Sequence, residues 1–247
     1  MSGRQRIDGQ IAYILHAYPY SESSLILDVF SRDHGRLPLL ARGARRPRSA
    51  LRGVLQAFQP LELGWFGAGE VRTLAKAEWL GGMPMLGGTA LMLGYYLNEL
   101  LLKLLVREDA HNLLFEAYAA TLQALSKGEG SGSDAAHLRL FEKTLLRELG
   151  YGLVLEREAL TDEAIVPDVN YRYLVESGPV KADTNSDHDS TPNQTIRGKT
   201  LLDLARNDYA DPRTLAESKT LMRTLINHHL AGQPLQSRRV FMELQEL

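Results

Sequence analysis

The sequence predicts an α+β protein in which a small five-stranded β-barrel precedes a mainly helical part. The first 80 residues contain five short runs with the alternating or fully apolar patterns of strands, separated by turn signals. After residue 80, apolar residues recur at the spacing of helices. The chain has 247 residues, of which 44% are hydrophobic and 23% charged, so it can bury a sizeable core. We expect two domains, at residues 1–80 and 81–247.

The barrel is predicted from the lengths of these runs. The predicted strands cover residues 10–18, 25–31, 36–42, 55–65 and 71–79. Asp33-His34-Gly35 is typical of a tight hairpin turn, and we interpret residues 64–69 as another turn. Five short strands in about 80 residues match a small closed or nearly closed barrel. Apolar alternation places Tyr13, Phe30 and Phe58 inside it.

The remaining residues are predicted to be mainly helical. Predicted helices cover residues 89–107, 113–126, 134–149, 198–207, 212–230 and 239–247. Residues 128–133 form a flexible link, Asp134 caps the third helix and Gly150 ends it. We expect the first three helices to pack as a bundle. A small hairpin is predicted at residues 171–175 and 179–182, within a β and loop region at about 155–197, and a polar segment lacking core residues follows at 183–195.

Positive charge is concentrated between the third and fourth predicted strands. Residues 42–53 contain five arginines and no acidic residue: Arg42, Arg45, Arg46, Arg48 and Arg52. The whole chain has a net charge of −2, but residues 1–80 carry +4 and the rest −6. Guanidinium groups on such a loop can bind successive phosphate oxygens, which indicates a nucleic-acid partner. A solvated loop that is arginine-rich by chance explains the run equally well.

A single-strand site usually combines basic groups with aromatic platforms. We extend the predicted DNA-binding set with Arg36, Arg72 and Lys76 from the flanking strands. Candidate platforms lie at strand ends or turns: Tyr18, Tyr20, Trp65 and Phe66, of which we assign Trp65 to DNA. Core filling is the alternative, although neighbours on a strand point to opposite faces, so one residue of the Trp65-Phe66 pair should be exposed.

The spacing of the residues does not support a calcium site, another metal site or a catalytic site. The acidic residues between Asp183 and Asp189 alternate as in a calcium loop, but His188 and Gln194 replace the required Gly and Glu. The chain has no cysteine and no catalytic motif, so we expect no enzyme activity, no metal and no cofactor. Without a signal segment or an apolar run of about 18 residues, we expect a cytoplasmic protein with no membrane contact.

The ordered motifs of the chain resemble those of the bacterial RecO family of recombination mediators. They are residues 12–15, 20–25, 35–36 and 41–45 in the barrel, then 97–100, 141–142, 149–151 and 234–238. The resemblance implies an OB-fold barrel and a nucleoid-associated, non-catalytic protein that binds single- and double-stranded DNA. It also implies strand annealing and, with RecR, the loading of RecA onto strands coated by single-stranded DNA-binding protein (SSB), with RecF as a further partner. The four-cysteine zinc site of some members is not carried over.

The resemblance also suggests a site for the acidic, aromatic-terminated tail of SSB on the helical domain. Arg139, Lys143 and Arg147 recur every four residues and so share one helix face, beside Leu140 and Leu146. A basic rim around an apolar patch complements such a tail. A solvated face of a bundle helix is the alternative.

Two classes of function remain open. The first is a DNA-annealing mediator, and the second is an OB-containing adaptor that binds proteins and contacts DNA only weakly. Binding of single strands across ionic strength separates them, because phosphate contacts weaken steeply with salt. An unrecognised hydrolase is a distant third possibility.

Overall fold

The structure, a computed structural model, describes residues 6–128, 130–182 and 195–245. Contacts divide the chain into two compact units, Met1–Glu129 with Leu235–Leu247, and Gly130–Pro234. This division differs from the predicted boundary at residue 80, because the first two long helices belong to the unit that contains the barrel. The functional division into residues 1–80 and 81–247 stays a prediction.

The first unit contains a closed five-stranded barrel. Its strands are β1 (Arg6–Pro19), β2 (Leu25–Ser31), β3 (Gly35–Ala41), β4 (Leu61–Phe66) and β5 (Arg72–Trp79). They are ordered β1-β2-β3-β5-β4, with β3 and β5 parallel and the other pairs antiparallel. The predicted α+β class, with an N-terminal OB-fold barrel, is confirmed.

Hydrophobic side chains from all the strands fill the barrel. Leu27, Leu39, Leu63 and Trp65 are fully buried members of this core. The turn between β2 and β3 needs a glycine, because Gly35 has φ 63° and an added Cβ would lie 2.0 Å from the carbonyl oxygen of Asp109. The predicted Asp33-His34-Gly35 hairpin turn is therefore confirmed.

Two predicted bounds around β4 are wrong. Residues 55–60 are not strand, because a helical turn, α1 (Leu51–Val54), precedes them and Phe58 turns the chain with a positive φ of 64°. The predicted turn at 64–69 is also displaced, because Gly64 to Phe66 complete β4 and the bend follows.

Three helices join the barrel in the first unit: α2 (Gly88–Leu104), α3 (Asn112–Lys127) and α7 (Gln236–Gln245). Buried Asn98 on α2 donates to the carbonyl oxygen of Leu15 at 2.8 Å and accepts from the Tyr118 hydroxyl at 2.6 Å. Tyr118 also packs edge-on against Tyr13 of β1, with ring centroids 5.2 Å apart. These contacts attach α2 and α3 to the barrel wall.

The second unit combines helices with a small sheet. Its elements are α4 (Ser131–Glu148), β6 (Asn170–Leu174), β7 (Gly178–Lys181), β8 (Thr195–Arg197), α5 (Gly198–Arg206) and α6 (Pro212–His229). The sheet has the order β7-β6-β8, and its first two strands form the predicted hairpin.

The predicted three-helix bundle is wrong. The third helix, α4, belongs to the second unit and packs against α6. It also begins at Ser131, three residues before the predicted cap Asp134. Its predicted end is confirmed, since Gly150 adopts φ 86° and donates its N–H to the carbonyl oxygen of Arg147.

Hydrogen bonds organise the loop before the hairpin. The carboxylate of Glu158 accepts bonds from the Thr161 hydroxyl at 2.6 Å and from the N–H groups of Leu160, Thr161 and Lys181. The Thr161 hydroxyl, followed by these N–H groups, lowers the pKa of Glu158. In the part of the chain that is described, no group of three His, Asp or Glu could hold a metal. The calcium-like sequence, within residues 183–194, lies outside the described residues.

Within residues 6–128, 130–182 and 195–245, no helix is long and apolar enough to cross a membrane.

Candidate nucleic-acid interface

The arginine loop, residues 42–53, is built from successive turns between β3 and β4. Arg46 donates its N–H to the carbonyl oxygen of Gly43 at 3.1 Å, and Ser49 donates in turn to that of Arg46 at 3.0 Å. Arg52 then donates to that of Ser49 at 3.2 Å as the chain enters α1. These hydrogen bonds order the backbone from which the arginine side chains extend.

Two contacts hold the arginine loop against the turn at residues 20–24. The N–H of Arg45 donates to the carbonyl oxygen of Ser23 at 2.9 Å, and its Nη1 donates to that of Ser21 at 2.7 Å. Ala44 is buried in the barrel core with 2% of its surface exposed. The loop is therefore anchored at its middle by both backbone and side-chain contacts.

All five arginines of the loop are exposed: Arg42, Arg45, Arg46, Arg48 and Arg52. None of them forms an ion pair with a described residue. Their charge is not neutralised by a neighbouring carboxylate, so it is available to a polyanion.

Arg36 has a structural role, which corrects its assignment to DNA. Its side chain is only 14% exposed, and it donates two hydrogen bonds to the carboxylate of Asp28, at 2.9 and 3.0 Å. Its Nη1 donates to the carbonyl oxygens of Leu102 and Leu105 at the end of α2, at 2.5 and 3.3 Å. The guanidinium thus joins the barrel to a helix terminus, where its charge is favourable.

Arg72 and Lys76 are also neutralised by acidic partners. Arg72 is 17% exposed and pairs with Glu108 at 2.9 Å. Lys76 is half-exposed and pairs with Glu78 at 3.0 Å and Glu62 at 3.2 Å, and the hydrogen bond to Glu78, then that to Glu62, raises its pKa. The structure therefore does not bring these two residues into the uncompensated positive surface of the arginine loop.

Trp65 is not a stacking platform. It is fully buried, because it continues the inward series Leu61 and Leu63 along β4. Its neighbour Phe66 is half-buried, while Tyr20 and Tyr18 have exposed fractions of 62% and 45%. Because every second residue of β4 faces inward, the sequence pattern already places Trp65 on the same face as Leu61 and Leu63, and this distinguishes it from the two tyrosines.

A cavity of about 360 Å³, which was not predicted, lies beside the arginine loop. It is lined by the apolar side chains of Leu25, Ala44, Leu51 and Leu55 and by Arg45 and Arg52. Because α1 was predicted to be irregular loop, nothing in the sequence pattern placed Leu51 and Leu55 together.

The predicted face for the SSB tail is mostly occupied by internal contacts. Arg139 is 7% exposed and donates to Glu142 at 2.8 Å. Lys143 donates to Asn207 Oδ1 and, at 2.7 Å, to the carbonyl oxygen of Leu204 at the end of α5. Burial, then the charge of Arg147, lowers the pKa of Lys143. Arg139 and Lys143 are thus not available as predicted.

Arg147 and Leu140, by contrast, are 60% and 39% exposed. Leu146, next to Arg147, lines a second cavity of about 410 Å³ together with Tyr173, Leu225, His228 and other residues of the same unit. Tyr151 and His229 stack at one wall with ring centroids 3.8 Å apart. Burial and the neighbouring His228 lower the pKa of His229, so this cavity is bordered by a largely neutral ring at pH 7.

Comparison with known proteins gives matches over nearly the whole chain. The family described as Recombination protein O N terminal matches residues 9–83, and Recombination protein O C terminal matches residues 86–239. Curated proteins named DNA repair protein RecO from Dechloromonas aromatica and Aromatoleum aromaticum are each 56% identical over 247 residues, covering 100% of both chains. That from Ralstonia nicotianae is 51% identical over 242 residues, covering 98% of this chain and 86% of its own.

Proposed function

Because the chain belongs to the recombination protein O family of DNA repair proteins, we propose that it is a non-catalytic mediator that binds single- and double-stranded DNA. In this role it anneals complementary strands and, with RecR, helps to load RecA onto SSB-coated single strands. Such work takes place on chromosomal DNA, at the nucleoid. The family descriptions name recombination, and the curated relatives are named as DNA repair proteins.

The uncompensated charge of the arginine loop carries this proposal. Five exposed guanidinium groups lie within twelve residues, and no described acidic residue pairs with them. Arginine binds phosphate oxygens through a planar fork of N–H groups, and each neutralised phosphate releases condensed counterions. A loop of this kind supports binding to the backbone of either single or double strands, because phosphates carry no sequence information.

The anchored backbone of the arginine loop favours DNA binding by its arginines. A freely moving loop would lose conformational entropy on binding, whereas the bonds from Arg45 to Ser21 and Ser23 already hold its backbone. Arginines on a fixed backbone can match the regular spacing of phosphates at a lower cost of ordering.

The proposed partners rest on different observations. For the SSB tail, the cavity lined by Leu146 and Leu225 offers an apolar pocket. Arg147, which is 60% exposed and lies 3.8 Å from Glu148, offers a basic group to an acidic peptide. RecR and RecF are proposed from the family alone. If the chain is instead an adaptor, these protein contacts would remain and the arginine loop would bind DNA only weakly.

The salt dependence of DNA binding tests the proposal. We expect the triple variant Arg42→Ala, Arg46→Ala and Arg48→Ala to weaken binding to all sequences alike. For single strands, the slope of log K against log salt should flatten by roughly 0.7 for each phosphate that the variant no longer neutralises, or about 2 in total. Fluorescence anisotropy with a labelled oligonucleotide at four salt concentrations measures this slope.

A matched control removes the same charge elsewhere. Arg206, Lys219 and Arg223 are exposed residues of the second unit, so their triple alanine variant changes the net charge equally. We expect it to keep nearly the wild-type slope. Equal effects of the two triple variants, or unchanged affinity in a folded arginine-loop variant, would exclude the loop as the DNA site and favour an adaptor function.

A further inference from the structure

The cavity beside the arginine loop has an apolar floor. Leu25, Leu51 and Leu55 are partly buried and pack against the barrel core, and Ala44 belongs to that core. The floor is therefore continuous with the hydrophobic core of the barrel. Its volume of about 360 Å³ lies at the lower end of the roughly 300–1,000 Å³ typical of small-molecule sites.

Two guanidinium groups border this floor. Arg45 is fixed by its hydrogen bond to the carbonyl oxygen of Ser21, while Arg52 is exposed and forms no ion pair with a described residue. A planar guanidinium stacks on aromatic faces as well as binding phosphate. An apolar surface between two such groups complements a flat aromatic ring attached to a polyanion.

We propose that this cavity, lined by Leu25, Ala44, Leu51 and Leu55 and flanked by Arg45 and Arg52, receives an unpaired nucleobase of single-stranded DNA. The inference rests on the proposed DNA binding and deepens it, because it assigns base contacts beside the phosphate contacts of the loop. The base leaves the stack of its strand and lies on the leucines, while its neighbouring phosphates meet the exposed arginines. Bases within a duplex are stacked and paired, so only single strands use the cavity.

Tyr20 extends the same surface. It begins the turn at residues 20–24, where its N–H donates to the carbonyl oxygen of Ser24 at 3.1 Å, and this turn is bonded to Arg45. Its side chain is 62% exposed. An exposed ring on a turn attached to the arginine loop is a platform for the next base along the strand.

The experiment compares two oligonucleotides of equal length and charge. One is fluorescein-labelled oligo-dT, and the other has abasic residues at every position, so that it keeps the phosphates and lacks the bases. The wild-type full chain should bind oligo-dT more tightly by about fivefold or more at each salt concentration, which corresponds to the weak end of stacking for one base. The salt slopes of the two oligonucleotides should be equal.

Variants then locate the base contacts. Tyr20→Ala and Arg52→Lys should each lower the dT-to-abasic ratio several-fold, while Tyr20→Phe, which keeps the ring, should retain it. Arg52→Lys preserves the charge, so the salt slope should not change. Arg206 is an exposed residue of the second unit and does not line the cavity, so Arg206→Lys is the matched control and should keep the wild-type ratio.

The outcomes separate this inference from the proposed function. If wild-type protein binds both oligonucleotides equally and salt weakens both, DNA binding stands and the base site is wrong. If it binds neither, the proposed function itself fails. If Tyr20→Ala and Arg52→Lys keep the full ratio, or weaken binding of purified RecR and not of oligo-dT, the cavity does not receive a base.

Discussion

Arg36 should stabilise the barrel and not bind DNA, and substituting it tests this structural role directly. The Arg36→Ala substitution removes one partner of a pair in which Arg36 and Asp28 are only 14% and 5% exposed. It also removes the donor to the carbonyl oxygens of Leu102 and Leu105 at the end of α2. We expect the folded protein to lose stability and to keep its salt-dependent DNA binding.

The expected loss in the free energy of unfolding follows from the buried charge of Asp28, which remains without its partner. Breaking a buried, hydrogen-bonded ion pair by removing one partner costs roughly 3–5 kcal/mol, because the other charge is left without compensation. Arg36 is slightly exposed, so we expect about 3 kcal/mol. With a urea m-value of roughly 1–3 kcal/mol/M, the unfolding midpoint should fall by about 1–3 M.

Tryptophan fluorescence is a suitable assay, because both tryptophans, Trp65 and Trp79, lie on barrel strands. Arg48→Ala is the control, an exposed loop arginine whose loss should change stability by less than about 0.5 kcal/mol. The double variant Arg36→Leu and Asp28→Leu should recover much of the stability, since it removes both charges. An unchanged unfolding midpoint in Arg36→Ala, together with weakened DNA binding, would refute the structural role.

Three further predictions concern the other sites. Glu99→Ala should speed amide exchange in α7 about tenfold, because the Glu99 carboxylate accepts the N–H groups of Gln236 and Ser237. Burial raises the pKa of Glu99, but the hydrogen bonds outweigh it and the pKa is lowered overall. The stabilisation of α7 by Glu99 should therefore persist above pH 4.5 and disappear at lower pH as the carboxylate is protonated. EDTA should leave the melting temperature unchanged, whereas Glu158→Gln should lower it. Arg147→Glu should weaken binding of a labelled SSB tail peptide several-fold but not that of oligo-dT, with Arg206→Glu as control.

The strands could be predicted because the hydrophobic face of each one lines a single small core. Every second residue of β2, β3 and β4 enters the barrel core, and turn residues such as Gly35 mark the hairpins. The helical turn Leu51–Val54 escaped prediction, since four residues are too few for a helical period to be recognised. The cavity beside it was therefore also missed.

Periodicity identified a real face of α4 but not what that face contacts. Arg139 and Lys143 do lie one turn apart, as their spacing requires. Their partners, however, are Glu142 on the same helix and the end of α5 some sixty residues later. The Glu142 contact is an i,i+3 pair that helical spacing allows, whereas the contact of Lys143 with α5 depends on tertiary packing, which a single sequence does not encode in any local pattern.

Strand pairing explains why the arginines of the loop are exposed as predicted, whereas Arg36 is not. On the paired strands β2 and β3, Arg36 is opposite Phe30, so Asp28 lies diagonally across from it, within reach of a long side chain. A basic residue in a strand can therefore find its acid on the neighbouring strand, even when none is adjacent in sequence. The arginine loop differs because it has no acid among its twelve residues and pairs with no strand over residues 42–53. Absence of acids within a segment that also lacks strand partners is thus a better indicator of exposed arginines without ion pairs than arginine content alone.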